Sequence, residues 1–283
     1  MKSNYKKKLS TISVKILGKK NAYKLRYFRK RKKLPNLKNP SDLSERLIAS
    51  ILSPDFEKYA YYTDKVEVRN YVQNKGLDRI LLEHYGNWED PKDINLSLLP
   101  NKFILKTNNG SGNHVICKDK ATFNLNEAII KLNNQLEKKY LYELHYNAIK
   151  PKVFCEELID TGSDSWPTDY KFTCINGNPY DIFVATERET KVRYSTFDMN
   201  WNHLPYTKKE FMPEKLPEKP SQLSDMISIA KTLSKDFEFV RVDLYEYKDK
   251  VYFSELTFSP WGGIMHSYTN KAIEILGEKF DVK

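Results

Sequence analysis

Four residues near the C-terminus have the types and spacing to hold a charged reactant. The stretch VRVDLYEYKDKVYFSELTFSPWGG (240–263) carries Arg241, Asp243, Glu255 and Thr257 on two alternating runs. Val240, Val242 and Leu244 share one face of the first run, so Arg241, Asp243 and Tyr245 share the other. Lys248–Lys250 supplies the turn, and a hairpin centred on residue 249 sets Asp243 directly opposite Glu255, with Cβ atoms about 4.5–5.5 Å apart. Two carboxylates placed so repel each other, and the repulsion grows as water leaves. A positive charge must lie between them. Arg241 stands one pair away on the same face and can serve. Mg²⁺ fits better, because it takes one or two carboxylates and completes its shell with phosphates and water. The alternative is a shifted register with both acids solvated.

The phosphates have candidate partners upstream. FILKTNNGSGNHVI puts Lys106 at the end of an apolar strand and follows it with Asn108, Asn109, Gly110, Ser111 and Gly112. A glycine tip lets backbone N–H groups converge on an anion while the lysine adds a point charge. The loop is neither GKS/T nor GxGxxG. Lys171, in TDYKFTCING, lies on a second alternating strand that can reach the same anion. VFCEELID ends a strand in Glu156 and Glu157, which can accept a nucleotide's exocyclic amine and ribose hydroxyls, or form a solvated strand end. Arg188 and Arg193, in ATERETKVRYS, either grip an anionic substrate or belong to a solvated charge run.

These residues need strands to aim them. Period-two patterning predicts hairpins at 102–118, at 169–187 with an Asn176-Gly177 turn, and at 240–257, with a further strand at KVFCEELI. Helical spacing predicts a helix after Ser41 or Asp42, another through Val72 that stops at Gly76, one at 126–141 capped by Asn126 or Asn124, one at LSDMISIAKTLSKDF, and a closing helix. The result is an α+β body. No internal repeat is evident.

Composition narrows the class. The 283 residues are 40% hydrophobic and 30% charged, ordinary for a folded chain, and no apolar run reaches the 18 or so residues of a membrane span. Residues 12–17 are too short and too lysine-flanked for a secretory segment, which places the chain in the cytosol. Cys117, Cys155 and Cys174 lack CxxC spacing and read as buried thiols. The five histidines show no zinc spacing. Of the 47 Lys and Arg, 15 fall in residues 1–41 with no acid, leaving 32 against 37 acids in 42–283, a net of −5. A mildly acidic body with a basic arm argues against a nucleic-acid groove across the fold. The arm interleaves Ile12, Ile16, Leu17, Tyr23, Leu25, Tyr27 and Phe28 with cations. It is either a helix on an anionic membrane or polymer surface, or one docked on the body, or a solvated tail.

Taken in order, DKVEVRNYV, LPNKFILKTNNGSG, CEELI, DYKFTCING, VRVDLY and YFSELTFSPWGG resemble the TupA-like ATP-grasp family of bacterial surface-polymer and polysaccharide biosynthesis, over roughly residues 50–275. The resemblance implies an ATP-grasp fold in which two α+β subdomains clamp a nucleotide. It divides the chain into a basic arm (1–40), a helical or α+β region (41–98), a lysine and glycine-loop subdomain (99–160) and a catalytic subdomain with the metal hairpin (161–283). It implies that Lys106 and Lys171 contact phosphates under the Gly110, Ser111, Gly112 loop, and that Glu156, Glu157, Leu158 and Ile159 line the adenosine pocket. Asp243 and Glu255 would hold Mg²⁺, with Thr257 standing where the superfamily pattern has an asparagine ligand. Arg241 and Lys171 are then the catalytic cations, and Arg188, Arg193 and Ser259 the substrate-binding candidates. The activity implied is an ATP-dependent carboxylate–amine ligase acting through an acyl phosphate on a uronic acid or glutamyl chain. The rival readings are a sugar kinase and a non-catalytic nucleotide-binding module. The partners expected are a carboxylate and an amine, with no nucleic acid and with peripheral contact of the arm at the inner face of the membrane. Asp243→Asn and Glu255→Gln are expected to abolish ATP turnover with the fold intact.

Overall fold

The computed structural model describes residues 2–110, 112, 114–162 and 166–282, with side chains from Leu17 onward. Helix α1 (Lys2–Arg31) is interrupted at Gly18, whose φ of 72° leaves the helical region. The body opens with α2 (Leu43–Ile51), α3 (Ala60–Thr63) and α4 (Val68–Asn74). Asp42 caps α2 by accepting from the Glu45 amide, and Glu45 returns the bond to the Ser41 amide. Gly76 follows α4 with φ 70°, the left-handed stop that glycine permits.

Two antiparallel sheets follow. The first orders its strands β1-β4-β2-β3, from β1 (His84–Trp88), β2 (Phe103–Thr107), β3 (His114–Cys117) and β4 (Val153–Glu156). Phe103, Leu105, Val153 and Cys155 face α5 (Leu125–Leu136) in one core with Cys117 and Leu132. Asn124, one of the two expected caps, accepts from the Glu127 amide. Strand β1, in the segment preceding the lysine strand, pairs with β4 and so joins this sheet.

The second sheet runs β10-β9-β5-β6-β7-β8, from β5 (Asp169–Ile175), β6 (Asn178–Thr186), β7 (Arg193–Phe197), β8 (His203–Leu204), β9 (Phe239–Tyr247) and β10 (Lys250–Thr257). The short strands β7 and β8 were not legible as strands. Val240, Val242, Leu244, Phe172 and Ile182 bury against α6 (Leu223–Ser234), and α7 (Asn270–Glu278) closes the body beside α2. All three cysteines are buried and free. Among the described residues no helix is long and apolar enough to cross a membrane.

The second half of the arm is docked. Tyr23 and Tyr27 are fully buried, Tyr27 donates to Asp42 at 2.5 Å, and Arg31 donates to the Met265 and Tyr268 carbonyls at 2.6 and 3.1 Å. Lys19, Lys20, Phe28, Arg29 and Lys30 remain exposed on the outward side. Of the alternatives for the arm, docking on the body therefore holds from about residue 21 to residue 31.

Candidate active site

The β9–β10 hairpin does set Glu255 opposite Asp243, but by a different route from the one expected. The turn is two residues, Lys248 and Asp249, both with positive φ (49° and 57°) as the tight hairpin turn requires. That puts the hairpin centre half a residue earlier. A β-bulge at Ser254 then shifts the register by one and restores the pairing of Glu255 with Asp243 and Thr257 with Arg241. Strand β5 extends the ladder, with Lys171 beside Asp243 and Thr173 beside Arg241. One face of the sheet thus carries Glu255, Asp243 and Lys171 in a row.

The positive charge between the carboxylates is Arg241. Its Nε and Nη2 donate to the two oxygens of Asp243 at 2.7 and 2.6 Å, while Nη2 also lies 3.2 Å from Thr257 Oγ1 and 3.7 Å from Glu255 Oε1. Lys171 Nζ donates to Asp243 Oδ2 at 2.6 Å and to Asp169 Oδ2 at 2.5 Å. Burial pushes the Asp243 carboxyl up against the opposing pull of Arg241 and Lys171, whereas the contacts of Arg241 with Asp243, Glu255 and Asp169 outweigh desolvation and raise it above its ordinary value. Glu255 goes the other way. Burial would raise it, yet Lys65, Lys171 and Arg241 bring it down to about 2.

Of the two acids expected to hold Mg²⁺, Asp243 is wholly buried with both oxygens taken by Arg241 and Lys171. Glu255 and Thr257 still turn toward the cavity, and Glu255 can supply the one carboxylate that Mg²⁺ needs when phosphates and water complete the shell. Among the described residues no three His, Cys, Asp or Glu converge as an all-protein metal cage.

The cavity itself, about 430 Å³, lies between the two sheets. Lys106, Lys171, Arg188, Arg241 and Lys65 line it with Gly110, Gly112, Glu255 and Thr257. Lys106 is ion-paired with Glu156; burial would lower its pKa, but Glu156, Tyr245 and Glu255 outweigh that and raise it. Asn108 anchors the glycine tip by donating to Asp64 at 2.7 Å and accepting from the Lys152 amide at 2.8 Å. Lys65 then ties the tip to the second sheet, donating to the Gly110 carbonyl at 2.6 Å and pairing with Glu255 at 3.3 Å. A Cβ on Gly110 would sit 1.8 Å from the Tyr140 hydroxyl, at a φ of 71°. Ser111 lies outside the described residues. The loop Pro260–Gly263 closes another wall, with three successive left-handed residues at Trp261, Gly262 and Gly263. Arg26 of α1 donates to the Trp261 and Gly262 carbonyls at 2.7 and 2.9 Å, and the Trp261 ring lies 5.7 Å from the Arg241 guanidinium.

Other expected residues fall elsewhere. Leu158 and Ile159 line a second, more apolar hollow of about 620 Å³ that meets the first at Trp166. Glu157 is exposed, because its neighbour Glu156 takes the inward face and strand side chains alternate. Arg193 is paired with Glu187 at 3.8 Å and the Glu210 carbonyl at 3.0 Å, away from the cavity walls. Ser259 is buried behind the wall with no partner for its hydroxyl among the described residues. Arg188 does face the cavity, 3.8 Å from Asp169. The sequence reading missed Asp169, Lys65 and Glu143. Asp169 was within reach, two residues before Lys171 on the same strand face; Lys65 and Glu143 reach the site only through tertiary packing.

Compared with curated protein sequences, the chain has no match. Solved structures similar to it include D-alanine–D-alanine ligase from Bacillus anthracis (16% identity, TM-score 0.47, covering 77% of this chain and 63% of that one). They also include the ATP-grasp ligase PsnB complexed with minimal precursor (10%, 0.43, 79% and 62%) and N5-carboxyaminoimidazole synthase from Aspergillus clavatus (9%, 0.42, 77% and 47%). The chain spans less than two thirds of the length of each. Residues 41–281 match the family model described as TupA-like ATPgrasp, and the chain belongs to that family.

Proposed function

We propose that the protein is an ATP-dependent carboxylate–amine ligase that forms an amide through an acyl phosphate. The observation that carries this reading is the convergence of five cations, Lys65, Lys106, Lys171, Arg188 and Arg241, on one cavity under a glycine tip. Among the described residues lining it no nucleophilic Ser–His or Cys–His pair is evident, and positioning and charge are the means they offer to lower the barrier. Lys106 and the backbone around Gly110 suit the phosphates, while the hollow at Leu158, Ile159 and Trp166 suits an adenine ring. Lys171 and Arg241, fixed by Asp243, would stabilise charge on the transferring phosphoryl group as a substrate carboxylate attacks it. Mg²⁺, seated at Glu255 and Thr257, would neutralise phosphate charge. Arg188 would orient the anionic substrate.

The acceptor class we propose is a uronic acid or glutamyl chain of a capsular or other cell-surface polymer, with an amino acid or amino sugar as the amine. ATP consumption would suit a cytoplasmic site for this chemistry. The test is turnover of Mg²⁺–ATP with pooled uronic acids and glutamyl peptides, with and without hydroxylamine. ADP together with a hydroxamate identifies the acyl phosphate and names the carboxylate. ADP with a hydroxylamine-stable phosphoester would replace the ligase by a sugar kinase.

A further inference from the structure

Among the described residues three acids line the main cavity, and two are neutralised: Asp169 by Lys171 at 2.5 Å with Arg188 at 3.8 Å, Glu255 by Lys65 at 3.3 Å with Arg241 at 3.7 Å. The third, Glu143, has neither an ion pair nor a hydrogen bond from its carboxylate to any described residue. Its cationic neighbours are committed elsewhere, Arg26 to the Trp261 and Gly262 carbonyls and Lys65 to the Gly110 carbonyl and Glu255. Glu143 begins the short turn Leu144–Ala148 and is half-buried, so its oxygens meet the cavity rather than bulk water. A carboxylate held in a wall without a donor calls for one from outside. Of the three reactants of an amide ligase, ATP and the carboxylate are anions and suit the five lysines and arginines. Only the amine arrives as a cation.

We propose that Glu143 receives the amine co-substrate, its carboxylate accepting an N–H of the incoming primary ammonium and taking that proton as the nitrogen attacks. The proposal rests on the ligase reading. In the step, the proton lost to Glu143 frees the nitrogen lone pair, the C–N bond forms, and the acyl C–O bond to phosphorus breaks with its electrons leaving on inorganic phosphate. The second N–H proton departs with the phosphate. Tyr146 and Trp261, on the same walls, add ring faces that favour a cation. The groups acting on Glu143 are Arg26 from α1, Glu255 from β10, Arg241 from β9 and Lys65 ahead of α4; burial dominates them and raises the carboxyl to about 7, suited to proton exchange near neutrality.

Hydroxylamine separates the roles, since it is largely unprotonated at neutral pH and needs no carboxylate to release its lone pair. Wild type and Glu143→Gln are compared with Mg²⁺–ATP and the carboxylate pool, once with hydroxylamine and once with pooled amino acids and amino sugars. Glu143→Gln is expected to keep hydroxamate formation within about twofold while amide formation falls on the order of 10²-fold or more. The deficit should narrow as rising pH supplies free amine, and Glu143→Asp should recover part of it. Retained amide formation would overturn the proposal, as would equal loss of hydroxamate and amide in a variant that still folds and binds ADP. Should Glu143→Gln fail to fold, the same comparison is made with Glu143→Asp, whose selective amide deficit supports the role and whose equal losses refute it. A wild type giving no hydroxamate would overturn the ligase reading and this inference with it.

Discussion

Replacing Asp243 by asparagine tests whether this acid is a counter-ion or a reactant-facing ligand. The Asp243 side chain is 0% exposed and takes three charged hydrogen bonds of 2.6–2.7 Å, two from Arg241 and one from Lys171. Asparagine keeps the shape but removes the charge, and its amide must turn an N–H toward Arg241 or Lys171, both of which only donate. Removing one partner of a buried charge network costs about 3–5 kcal/mol, because the remaining cations stay in the interior uncompensated. At roughly 2–4 °C per kcal/mol for a chain of this general size, the melting temperature should fall by about 6–20 °C. Calorimetry of Asp243→Asn beside Glu255→Gln supplies the comparison, since Glu255 is partly open to the cavity, where water can solvate what it leaves behind. Its variant should lose at most about 1–3 kcal/mol. The burial of Asp243 thus predicts a larger stability cost for its substitution than for that of Glu255. An Asp243→Asn protein melting within about 2 °C of wild type, yet inactive, would refute this reasoning and return Asp243 to the role of a metal ligand.

Four further outcomes are expected. Glu255 is depressed from 4.5 to about 2, so its contribution is complete above pH 4.5 and lost as pH falls toward 2; urea unfolding between pH 5 and 3 should show a decline that Glu255→Gln flattens. Asp181, buried and bonded to Tyr268 at 3.1 Å, has the opposite sign: burial raises it from 3.8 to about 7, so stability falls as pH rises through that window, and Asp181→Asn should remove the fall between pH 5 and 8. Truncation of residues 1–33 strips two buried tyrosines from the body and should destabilise it by about 3–6 kcal/mol, read by denaturant midpoint. Arg26→Gln should lower the proposed ligase turnover and shift tryptophan fluorescence, as the left-handed turn at Trp261 loses the bonds that fix it; unchanged emission and turnover would show the loop holds itself.

The β9–β10 hairpin shows how far patterning reads and where it stops. The expected pairing of residues 243 and 255 is present, yet it arises from two offsets that cancel, a shorter turn and the bulge at Ser254. The bulge was legible, because the apolar alternation Val251, Phe253 resumes at Leu256 and Phe258 one step out of phase. Asp243 and Lys171 could be placed because strands fix the direction of every second side chain. Glu143 and Lys65 could not, since irregular segments carry no such period, and Arg193 and Ser259 show that residue type alone does not aim a side chain. The arm was ambiguous for a similar reason. Tyr23 and Tyr27 sit among lysines, and partners elsewhere in the chain, the Tyr142 carbonyl and the Asp42 carboxylate, make them interior residues.

That seat has a consequence for biosynthesis. Tyr27 bonds Asp42 only 15 residues on and Tyr23 the Tyr142 carbonyl 119 residues on, but Arg31 bonds a carbonyl 237 residues away, so the seat of this helix is complete only when the C-terminal loop has been made. At about 5–20 residues per second the wait is roughly 10–50 s. During it Arg26 and Arg31 lack their carbonyl partners, and the run of lysines and arginines without a single acid keeps the nascent segment soluble until the last loop emerges to receive them.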